Sequence, residues 1–494
     1  MTQAPRNLPN TFYLSLVTVD PAAELPLYRQ IYQGMREAIL TGRLAAGTRL
    51  PSTRDLVTIW GVSRNTLRNA FDQLIAEGYL DAVVGRGTFV TATSARLQGT
   101  RASEPAPGER RRHLSPIGRH LEPLGQSFTG RQPGSAAFAL GVPDLELFPH
   151  DIWNRIINRC QRRLSAGRDP RIRINGIQTL REAVASYLVS ARGLHCTPEQ
   201  VDIVPGSVAG IMVTALTLLG ADDQAWMEEP GYSNALGVIR YRGAATVPVP
   251  VDDEGLNVAA GLALAPTARL AYVTPSHQHP LGVTMSLARR QQLLAWAEQQ
   301  DAWIIEDDYD SEFRYDGPPI TALQGLDRAQ RVVYCGTFSK VMFPELRLGY
   351  VVLPPELMAA YTGVKMPLSL YSPMLMQAAV AEFMLTGHFV RHVRRMRDEY
   401  RARRDALAAA LQQHLAGAVT VGEARGGMHL VAYLAPELDE AMVLKAAREV
   451  GMALMPLSSF YHGSEARAGL ILGFTNVRPE AIEGYIVRLA ARLG

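Results

Sequence analysis

The feature that most constrains this fold is an alternation of short apolar runs with helical patterns, which begins near Phe138 and continues through most of the chain. Runs of this kind are typical of parallel strands that helices cover on both faces. The runs are Gln200–Val204, Gln224–Met227, Thr246–Pro250, Arg269–Val273, Trp303–Glu306, Val332–Cys335 and Leu348–Leu353. The sequence therefore predicts an α/β domain with a mainly parallel central sheet.

The N-terminal part has a different pattern, which is mainly helical. Apolar residues recur at helical spacing over 26–41 and predict one helix. Two shorter helices are predicted over 52–60 and 63–77, each beginning at a serine that can cap it, with a glycine in the turn between them. Residues 79–90 then alternate about a Gly-Arg-Gly tip, as in a two-stranded β wing. This order predicts a winged helix-turn-helix.

A winged helix-turn-helix places the second helix of its pair in the major groove of DNA. We expect the first turn of that helix to contact base edges, and the neighbouring arginines and the wing tip to contact phosphates or the minor groove. The predicted DNA-contacting residues are Arg49, Ser52, Arg54, Ser63, Arg64, Asn65, Thr66, Arg68, Arg86 and Gly87. An isolated arginine more often solvates a helix surface, but this clustering favours DNA. The net charge of +3 requires any such contact to come from a local patch.

These N-terminal segments resemble a known family of regulators. Residues 50–56, 61–67 and 78–90 are similar to the GntR family of winged-helix DNA-binding proteins. The resemblance implies a double-stranded promoter as the binding partner.

The predicted domain organisation follows from a change in composition after the wing. Residues 92–130 hold several prolines and glycines and the run Arg110-Arg111-Arg112, with little apolar material to bury. We predict a DNA-binding domain over 20–91, a flexible linker over 92–130 and an effector domain over 131–494.

The number of cysteines and the hydropathy of the chain indicate the cellular compartment of the protein. Cys160, Cys196 and Cys335 are odd in number and widely separated, which argues against a disulfide framework or a zinc site. No stretch approaches the roughly 20 apolar residues of a membrane span. We therefore predict a soluble, cytoplasmic protein with no metal site and no membrane partner.

Primary amines are scarce in this chain, because nearly all its basic residues are arginine. The lysines are Lys340, Lys365 and Lys445. Lys340 directly follows an apolar run, so that a loop would present it at the carboxyl end of a strand. Lys445 has the pattern of an exposed helical residue, and Lys365 has no evident partner set. A lysine placed like Lys340 suits pyridoxal 5'-phosphate (PLP), which forms a Schiff base with an amine.

Other residues at predicted strand ends suit the remaining parts of PLP. Asp307 can pair with the pyridine nitrogen and Tyr309 can donate to the 3-oxygen. The glycine-containing turn at 206–210 opens a helix whose N-terminus can bind a phosphate. Tyr232 offers a ring for stacking, although a core tyrosine is the alternative. The predicted cofactor-binding residues are Tyr232, His279, Asp307, Tyr309, Thr337, Ser339, Lys340, Arg347, Ser207, Val208 and Ala209.

Residues 230–232, 274–282, 306–315 and 336–347 resemble the MocR/GabR subfamily of GntR-type regulators. In that subfamily a GntR-type head precedes a fold-type I aminotransferase domain, which ends in a small C-terminal α+β subdomain. The resemblance spans nearly the whole chain and implies a domain-swapped, head-to-tail homodimer. It also implies roles for individual residues: Lys340 as the Schiff-base residue, Asp307 on the pyridine nitrogen, Tyr309 on the 3-oxygen, Tyr232 on the ring face and Arg347 on the phosphate.

The sequence departs from catalytic aminotransferases at two places. His279 stands where they have the Asn of an Asn-Pro-Thr-Gly segment, and it either contacts the cofactor or packs. The arginine that grips a substrate carboxylate is aligned with Leu470, which cannot bind a carboxylate. Arg467 or Arg425 either substitutes for it or has only a surface role. At most weak or partial transamination is expected.

Together these patterns predict a PLP-dependent transcriptional regulator. Its promoter binding would be modulated by PLP itself, or by a small amine or amino acid that forms an external aldimine with PLP. The alternatives are an active aminotransferase with an appended head and a cofactor-free dimeric GntR-type regulator. The combination of Lys340, Asp307, Tyr309 and Arg347 argues against the last, because a scaffold has no need of all four.

Overall fold

The structure is a computed structural model that describes residues 10–91, 114–115, 117–119, 122, 136–166, 174–317, 320–463 and 465–493. The chain divides into two compact units, Met1–His113 and Leu114–Gly494. The linker predicted over 92–130 falls almost entirely outside the described residues. Within the described part of the chain, no helix is long and apolar enough to cross a membrane.

The described part of the N-terminal unit is a winged helix-turn-helix, as predicted. Its elements are α1 (Asn10–Leu16), α2 (Leu27–Leu40), α3 (Thr53–Trp60), α4 (Arg64–Ala76), β1 (Leu80–Val83) and β2 (Gly87–Val90). Gly61 ends α3 with a φ of 67°, a left-handed conformation that allows the sharp turn into α4. β1 and β2 pair antiparallel from Leu80↔Val90 to Val83↔Gly87. Ile31, Leu56 and Leu67 are fully buried where the helices meet.

The larger unit is built on an eight-stranded sheet in the order β3-β10-β9-β8-β7-β4-β5-β6. Its strands are β3 (Val201–Val204), β4 (Gln224–Glu229), β5 (Ala245–Asp252), β6 (Gly255–Leu256), β7 (Leu270–Val273), β8 (Trp303–Asp308), β9 (Val332–Thr337) and β10 (Gly349–Val352). The five strands from β9 to β5 in that order run parallel. β10 is antiparallel to both β3 and β9, and β6 is antiparallel to β5. The predicted mainly parallel sheet is confirmed.

Helices cover both faces of this sheet, which explains why most residues of its central strands are apolar and buried. The helices of the unit are α5 (His150–Ala166), α6 (Gln178–Arg192), α7 (Ser207–Leu218), α8 (Ser233–Tyr241), α9 (Val258–Leu264), α10 (Leu287–Gln299), α11 (Met358–Lys365), α12 (Met374–Leu385), α13 (His388–His414), α14 (Glu440–Glu449) and α15 (Pro479–Leu493). Neighbouring residues of β8 face opposite sides: Ile305 packs with α7 and α8, and Ile304 packs with α9 and α10.

A second, four-stranded sheet forms the small C-terminal subdomain that the resemblance implied. Its order is β11-β12-β14-β13, with antiparallel pairing throughout. Its strands are β11 (Val419–Val421), β12 (His429–Leu434), β13 (Met455–Pro456) and β14 (Gly469–Gly473). Leu470 and Leu472 pack into the core that contains α15, whereas Ile471 faces the other side with Val431.

Lys365 is not the partnerless lysine that the sequence indicated. It is fully buried, and its Nζ donates to both carboxylate oxygens of Asp202 at 2.8 and 2.9 Å. The carbonyls of Ile174 and Ile203 accept from the same Nζ at 2.8 Å each. Burial raises the pKa of Asp202 to about 6, although Lys365 acts in the opposite direction. Lys365, the last residue of α11, therefore has a structural role: it binds the end of that helix to the edge strand β3.

Candidate cofactor site and nucleic-acid interface

Lys340 lies in the loop that follows β9, at the carboxyl end of the parallel strands. Its Nζ donates a hydrogen bond to the carbonyl oxygen of Gly141 at 2.9 Å. Gly141 has a φ of 68°, and a Cβ at this position would collide with Nζ. A glycine at 141 therefore provides the space that the Lys340 amine occupies.

Asp307 lies near the end of the adjacent strand β8 and is buried. Its Oδ2 accepts a hydrogen bond from the Tyr272 hydroxyl at 2.6 Å. Its Oδ1 is buried and has no hydrogen-bond partner in the described part of the chain. Burial raises the pKa of Asp307 to about 7. An opposed pyridinium would give Oδ1 a partner and favour the ionised carboxylate, so this acid fits the nitrogen of PLP.

Aromatic and imidazole rings gather beside these two residues. The ring of His279 lies edge-to-face with Tyr232 and with Tyr309, with centroids 5.5 Å apart in each pair. Burial, together with His429 and Lys340, holds the pKa of His279 well below its usual value, so the imidazole is neutral. The structure thus brings the predicted residues Tyr232, His279 and Tyr309 together.

The predicted phosphate-binding residues meet at the start of α7. A Cβ at Gly206 would lie 3.9 Å from Cζ of Arg347, which places that guanidinium beside the helix N-terminus. Ala209 N–H already donates to the Gly206 carbonyl at 3.2 Å, so Ser207 and Val208 are the better-placed amides of the predicted three. A helix N-terminus and an arginine together suit a phosphate dianion.

Thr337 and Ser339 shape the loop that carries Lys340. Thr337 Oγ1 accepts a hydrogen bond from the Ser339 N–H at 3.2 Å. Thr337 is buried at the end of β9, and Ser339 is half-buried. The Thr337 hydroxyl therefore fixes the turn into Lys340, whatever contact it makes with a phosphate.

A polar cluster beneath Tyr309 was missed by the sequence analysis. Ligand-type atoms of the buried residues His277, Asp310 and His429 lie within 4.8 Å of one another, a spacing that would also suit a metal ion. His277 Nδ1 lies 2.9 Å from the Tyr309 hydroxyl, and His429 Nε2 lies 2.8 Å from the Pro280 carbonyl. His277 stands within a motif that the resemblance used, but nothing in the sequence indicated that His429 meets it.

The alignment of Leu470 with the carboxylate-binding arginine is corrected by the structure. Leu470 and Ile471 are neighbours on β14, and their side chains point to opposite faces. Leu470 packs into the core that contains α15. Ile471 packs with Phe460, whose ring lies 5.2 Å from that of His279. The position on the cofactor side is therefore Ile471, which is also unable to bind a carboxylate.

The predicted DNA-contacting residues of the N-terminal unit lie at its surface. Nine of them are exposed, and Thr66 is half-buried. Ser52 and Ser63 cap α3 and α4 by accepting hydrogen bonds from the N–H groups of Asp55 and Thr66 at 3.2 and 3.1 Å. The exposed polar side chains at the start of α4 are thus Arg64, Asn65 and Arg68.

Arg49 is joined to the wing. A Cβ at Gly87 would lie 3.0 Å from Arg49 Nε, and Gly87 has a φ of 107°, which favours glycine. Arg49 also forms an isolated antiparallel bridge with Phe89 of β2. The guanidinium of Arg49 therefore lies against the wing, and Arg49 precedes the helix cap Ser52 by three residues.

Comparisons with known proteins match both parts of the chain. Residues 27–90 match the family of bacterial regulatory proteins of the gntR family, and residues 150–471 match aminotransferase class I and II. Among solved structures, a kynurenine aminotransferase from Pyrococcus horikoshii in complex with PMP is 28% identical to this chain. The two structures superpose with a TM-score of 0.67, over 79% of this chain and 96% of the aminotransferase. The fold and the sites define a DNA-binding transcriptional regulator that carries a PLP-binding domain of aminotransferase fold.

Two relatives align with this chain over nearly the whole length of both proteins. The probable rhizopine catabolism regulatory protein MocR of Rhizobium meliloti is 38% identical over 94% of both chains. The HTH-type transcriptional regulator TauR of Rhodobacter capsulatus is 32% identical over 96% of this chain and 98% of its own. The chain belongs to the MocR/GabR subfamily of GntR-type regulators, and its cofactor is PLP.

Proposed function

We propose that DNA binding by the N-terminal unit is modulated at Lys340, either by PLP itself or by a small primary amine that competes with Lys340 for PLP. PLP, when bound, supplies an aldehyde that condenses reversibly with primary amines. The observation that carries the proposal is two groups at the ends of adjacent parallel strands: the Lys340 amine, which donates to the Gly141 carbonyl, and the buried Oδ1 of Asp307, which has no hydrogen-bond partner among the described residues.

Seven of the predicted cofactor-binding residues have a part in this proposal. Lys340 holds the cofactor covalently, and Asp307 keeps the proton on the pyridine nitrogen. Tyr309 donates its hydroxyl hydrogen to the 3-oxygen, and Tyr232 covers the ring. Ser207, Val208 and Arg347 hold the phosphate.

The surroundings of Ile471 support an effector that is not held by an α-carboxylate. Ile471 is completely buried among Val431, Leu457 and Phe460, with Leu140 and Leu281 packed against them. None of these side chains donates a hydrogen bond to a carboxylate, and Tyr433 and Tyr461, which pack at the edge of the same cluster, offer hydroxyls rather than a cation. An amine that relies on another group for recognition therefore fits better than a simple α-amino acid.

An effector changes DNA binding only if it binds two states of the protein with unequal affinity. We propose that these states differ in how a domain-swapped, head-to-tail homodimer presents its two heads to DNA half-sites. Because the target is promoter DNA, we also propose a cytoplasmic location. The sedimentation of the protein alone and with DNA tests the dimer: a monomer at micromolar concentration would contradict it.

The absorbance spectrum of the purified protein tests the proposed sensor site. We expect added PLP to give a band near the visible edge, and at least one member of a panel of primary amines to shift it. The aldehyde-free analogue pyridoxine phosphate serves as the control and gives no such band. A wild-type protein that shows no band with PLP would contradict the proposal.

Replacing Asp307 with asparagine is expected to weaken PLP binding by about 10- to 100-fold. The neutral amide loses a hydrogen bond between charged groups, which contributes about 1.5–3 kcal/mol. Titration of absorbance with PLP measures the loss. The matched control is Asp222→Asn, an exposed acid of the same unit, which should bind PLP as the wild type does. Equal affinities for Asp307→Asn and wild type would contradict the assignment.

The raised pKa of Asp307 also predicts a pH dependence of the PLP-free protein. Because the folded-state pKa is about 7, above that of the unfolded chain, the protonated carboxyl favours the folded state. This contribution is present at pH 4 and is lost as the pH rises through about 7. Asp307→Asn should therefore flatten the fall in unfolding temperature between pH 6 and pH 8. An equally steep fall in both proteins would contradict the raised pKa.

Replacing Arg64 with alanine is expected to weaken binding to the cognate promoter by about 5- to 150-fold at fixed salt, the range of one good base contact. Binding to unrelated DNA should fall much less, because that binding depends on phosphates. Fluorescence anisotropy with both DNAs measures the difference. The control is Arg29→Ala, an exposed arginine of α2. An equal loss of affinity for both DNAs would show that Arg64 contacts a phosphate rather than a base.

A further inference from the structure

His277 is shared between two partners. Its Nδ1 lies 2.9 Å from the Tyr309 hydroxyl and 3.2 Å from Oδ2 of Asp310. One ring nitrogen cannot serve both at once. Without a proton, Nδ1 accepts a hydrogen bond from Tyr309; with a proton, it donates to the Asp310 carboxylate.

The hydrogen bonds in this cluster are incomplete. His277 and Asp310 are 5% and 1% exposed. In the described part of the chain, His277 Nε2 and both carboxylate oxygens of Asp310 have no hydrogen-bond partner, because the Nδ1 contact is close but not aligned as a hydrogen bond. Buried polar atoms without partners are costly. A proton on Nδ1 gives Asp310 a charge-assisted partner and releases the Tyr309 hydroxyl.

We propose that Asp310 and His277 are positioning residues that aim the Tyr309 hydroxyl: the Asp310 carboxylate keeps a proton on Nδ1 of His277, so that Tyr309 donates to the 3-oxygen of PLP instead. This inference rests on the proposed function, in which Tyr309 contacts the cofactor. It adds His277 and Asp310, which do not touch the cofactor themselves but orient Tyr309, the residue that does.

The surrounding charges are compatible with this arrangement. Burial and the carboxyls of Asp310 and Asp307, with Glu228 and Asp308 farther away, raise the pKa of Tyr309 well above its usual value, so the phenol keeps the hydrogen that it donates. His429, whose ring centroid is 5.2 Å from that of His277, has a pKa lowered to about 4 by burial.

Other ionisable groups also lie near His277 and Asp310. His279 has a pKa lowered by burial, with Lys340 nearby, and is neutral like His429. Arg192 and Arg314 line the same small cavity as His277 and Asp310. Arg192 is paired with Asp308 at 2.8 Å. His277 contacts the Asp310 carboxylate directly, with Nδ1 3.2 Å from Oδ2.

The test is a pH titration of the absorbance band that PLP gives when it is bound to Lys340. The measured quantity is the pH at the midpoint of the change in that band. A hydrogen bond donated to the 3-oxygen stabilises its anionic form, and so favours loss of the proton that this oxygen shares with the Lys340 nitrogen. Asp310→Asn removes the charge that keeps the proton on Nδ1, so that Tyr309 turns to His277. We expect the midpoint to rise by about one pH unit.

His277→Phe should not raise the midpoint, in contrast to Asp310→Asn. Phenylalanine has no ring nitrogen to accept from Tyr309, so the hydroxyl stays available to the cofactor and the midpoint stays at or below the wild-type value. The double variant Asp310→Asn/His277→Phe should behave like His277→Phe, because Asp310 acts through His277. The double variant also avoids leaving an unpaired carboxylate beside the phenyl ring.

Glu312→Gln is the matched control, since Glu312 is a buried carboxyl two residues from Asp310 that lies 3.3 Å from the Tyr187 hydroxyl instead. Its midpoint should equal that of the wild type. An unchanged midpoint in Asp310→Asn, or the same rise in the double variant, would overturn the inference while leaving the proposed function in place. A wild-type midpoint that moves on adding EDTA would assign the cluster to a metal ion and overturn the inference as well. A wild-type protein with no band would overturn the proposed function, and this inference with it.

Discussion

Replacing Lys340 with alanine is expected to abolish the visible-edge absorbance that PLP gives with the wild-type protein and to abolish any response of DNA binding to amines. The band requires a covalent bond between PLP and an amine, and Lys340 is the lysine seated at the end of the parallel strands, on the Gly141 carbonyl. Absorbance spectra of the two proteins with saturating PLP measure the first effect. DNA affinity with and without the amine measures the second.

The scarcity of lysine makes this test unusually clean, because the sequence has two others. Lys445 is exposed on α14, so Lys445→Ala should keep both the band and the amine response. Borohydride reduction of the wild type followed by peptide mass analysis should attach PLP to Lys340 alone. An unchanged spectrum in Lys340→Ala would refute the assignment.

Replacing Lys365 with methionine is expected to lower the free energy of unfolding by about 3–5 kcal/mol, the usual cost of leaving one partner of a buried ion pair unpaired. Asp202 would lose the ammonium group of Lys365 as its partner and would remain buried. The loss should be larger at pH 8 than at pH 5, because the pKa of Asp202 is already raised to about 6 and the carboxyl takes up a proton at the lower pH. Denaturant unfolding at both pH values measures it.

The double variant Asp202→Asn/Lys365→Met is the control for this prediction. Removing both charges leaves no buried ion, so most of the lost free energy should return. A cost below about 1 kcal/mol for Lys365→Met at pH 8 would show that this pair contributes no more than a surface ion pair does.

Local sequence patterns predicted the elements of this fold because periodicity reflects burial. The seven apolar runs became strands β3, β4, β5, β7, β8, β9 and β10, and their ends carry Lys340, Asp307 and the phosphate-binding turn. The carboxyl ends of parallel strands lie at one edge of a sheet, so residues that follow different strands are brought together. The serine caps of α3 and α4 were predicted for the same local reason.

The residues that sequence reasoning missed depend on contacts between distant segments. Asp202 and Lys365 meet across the edge of the large sheet, and His429 meets His277 from the small sheet. Periodicity carries no information about such pairs. The shift from Leu470 to Ile471 has a different cause: an error of one residue along a strand moves the side chain to the opposite face.

The central claim is that the Lys340 site and the DNA-binding head are energetically coupled. The most direct test is the affinity of the protein for a promoter fragment at fixed salt, measured with and without a saturating amine that shifts the PLP band. We expect a change of about fivefold or more in the wild type, with the same factor in the amine affinity when DNA is bound, and no change in Lys340→Ala. An amine that shifts the band fully while leaving the DNA affinity of the wild type unchanged would contradict the claim.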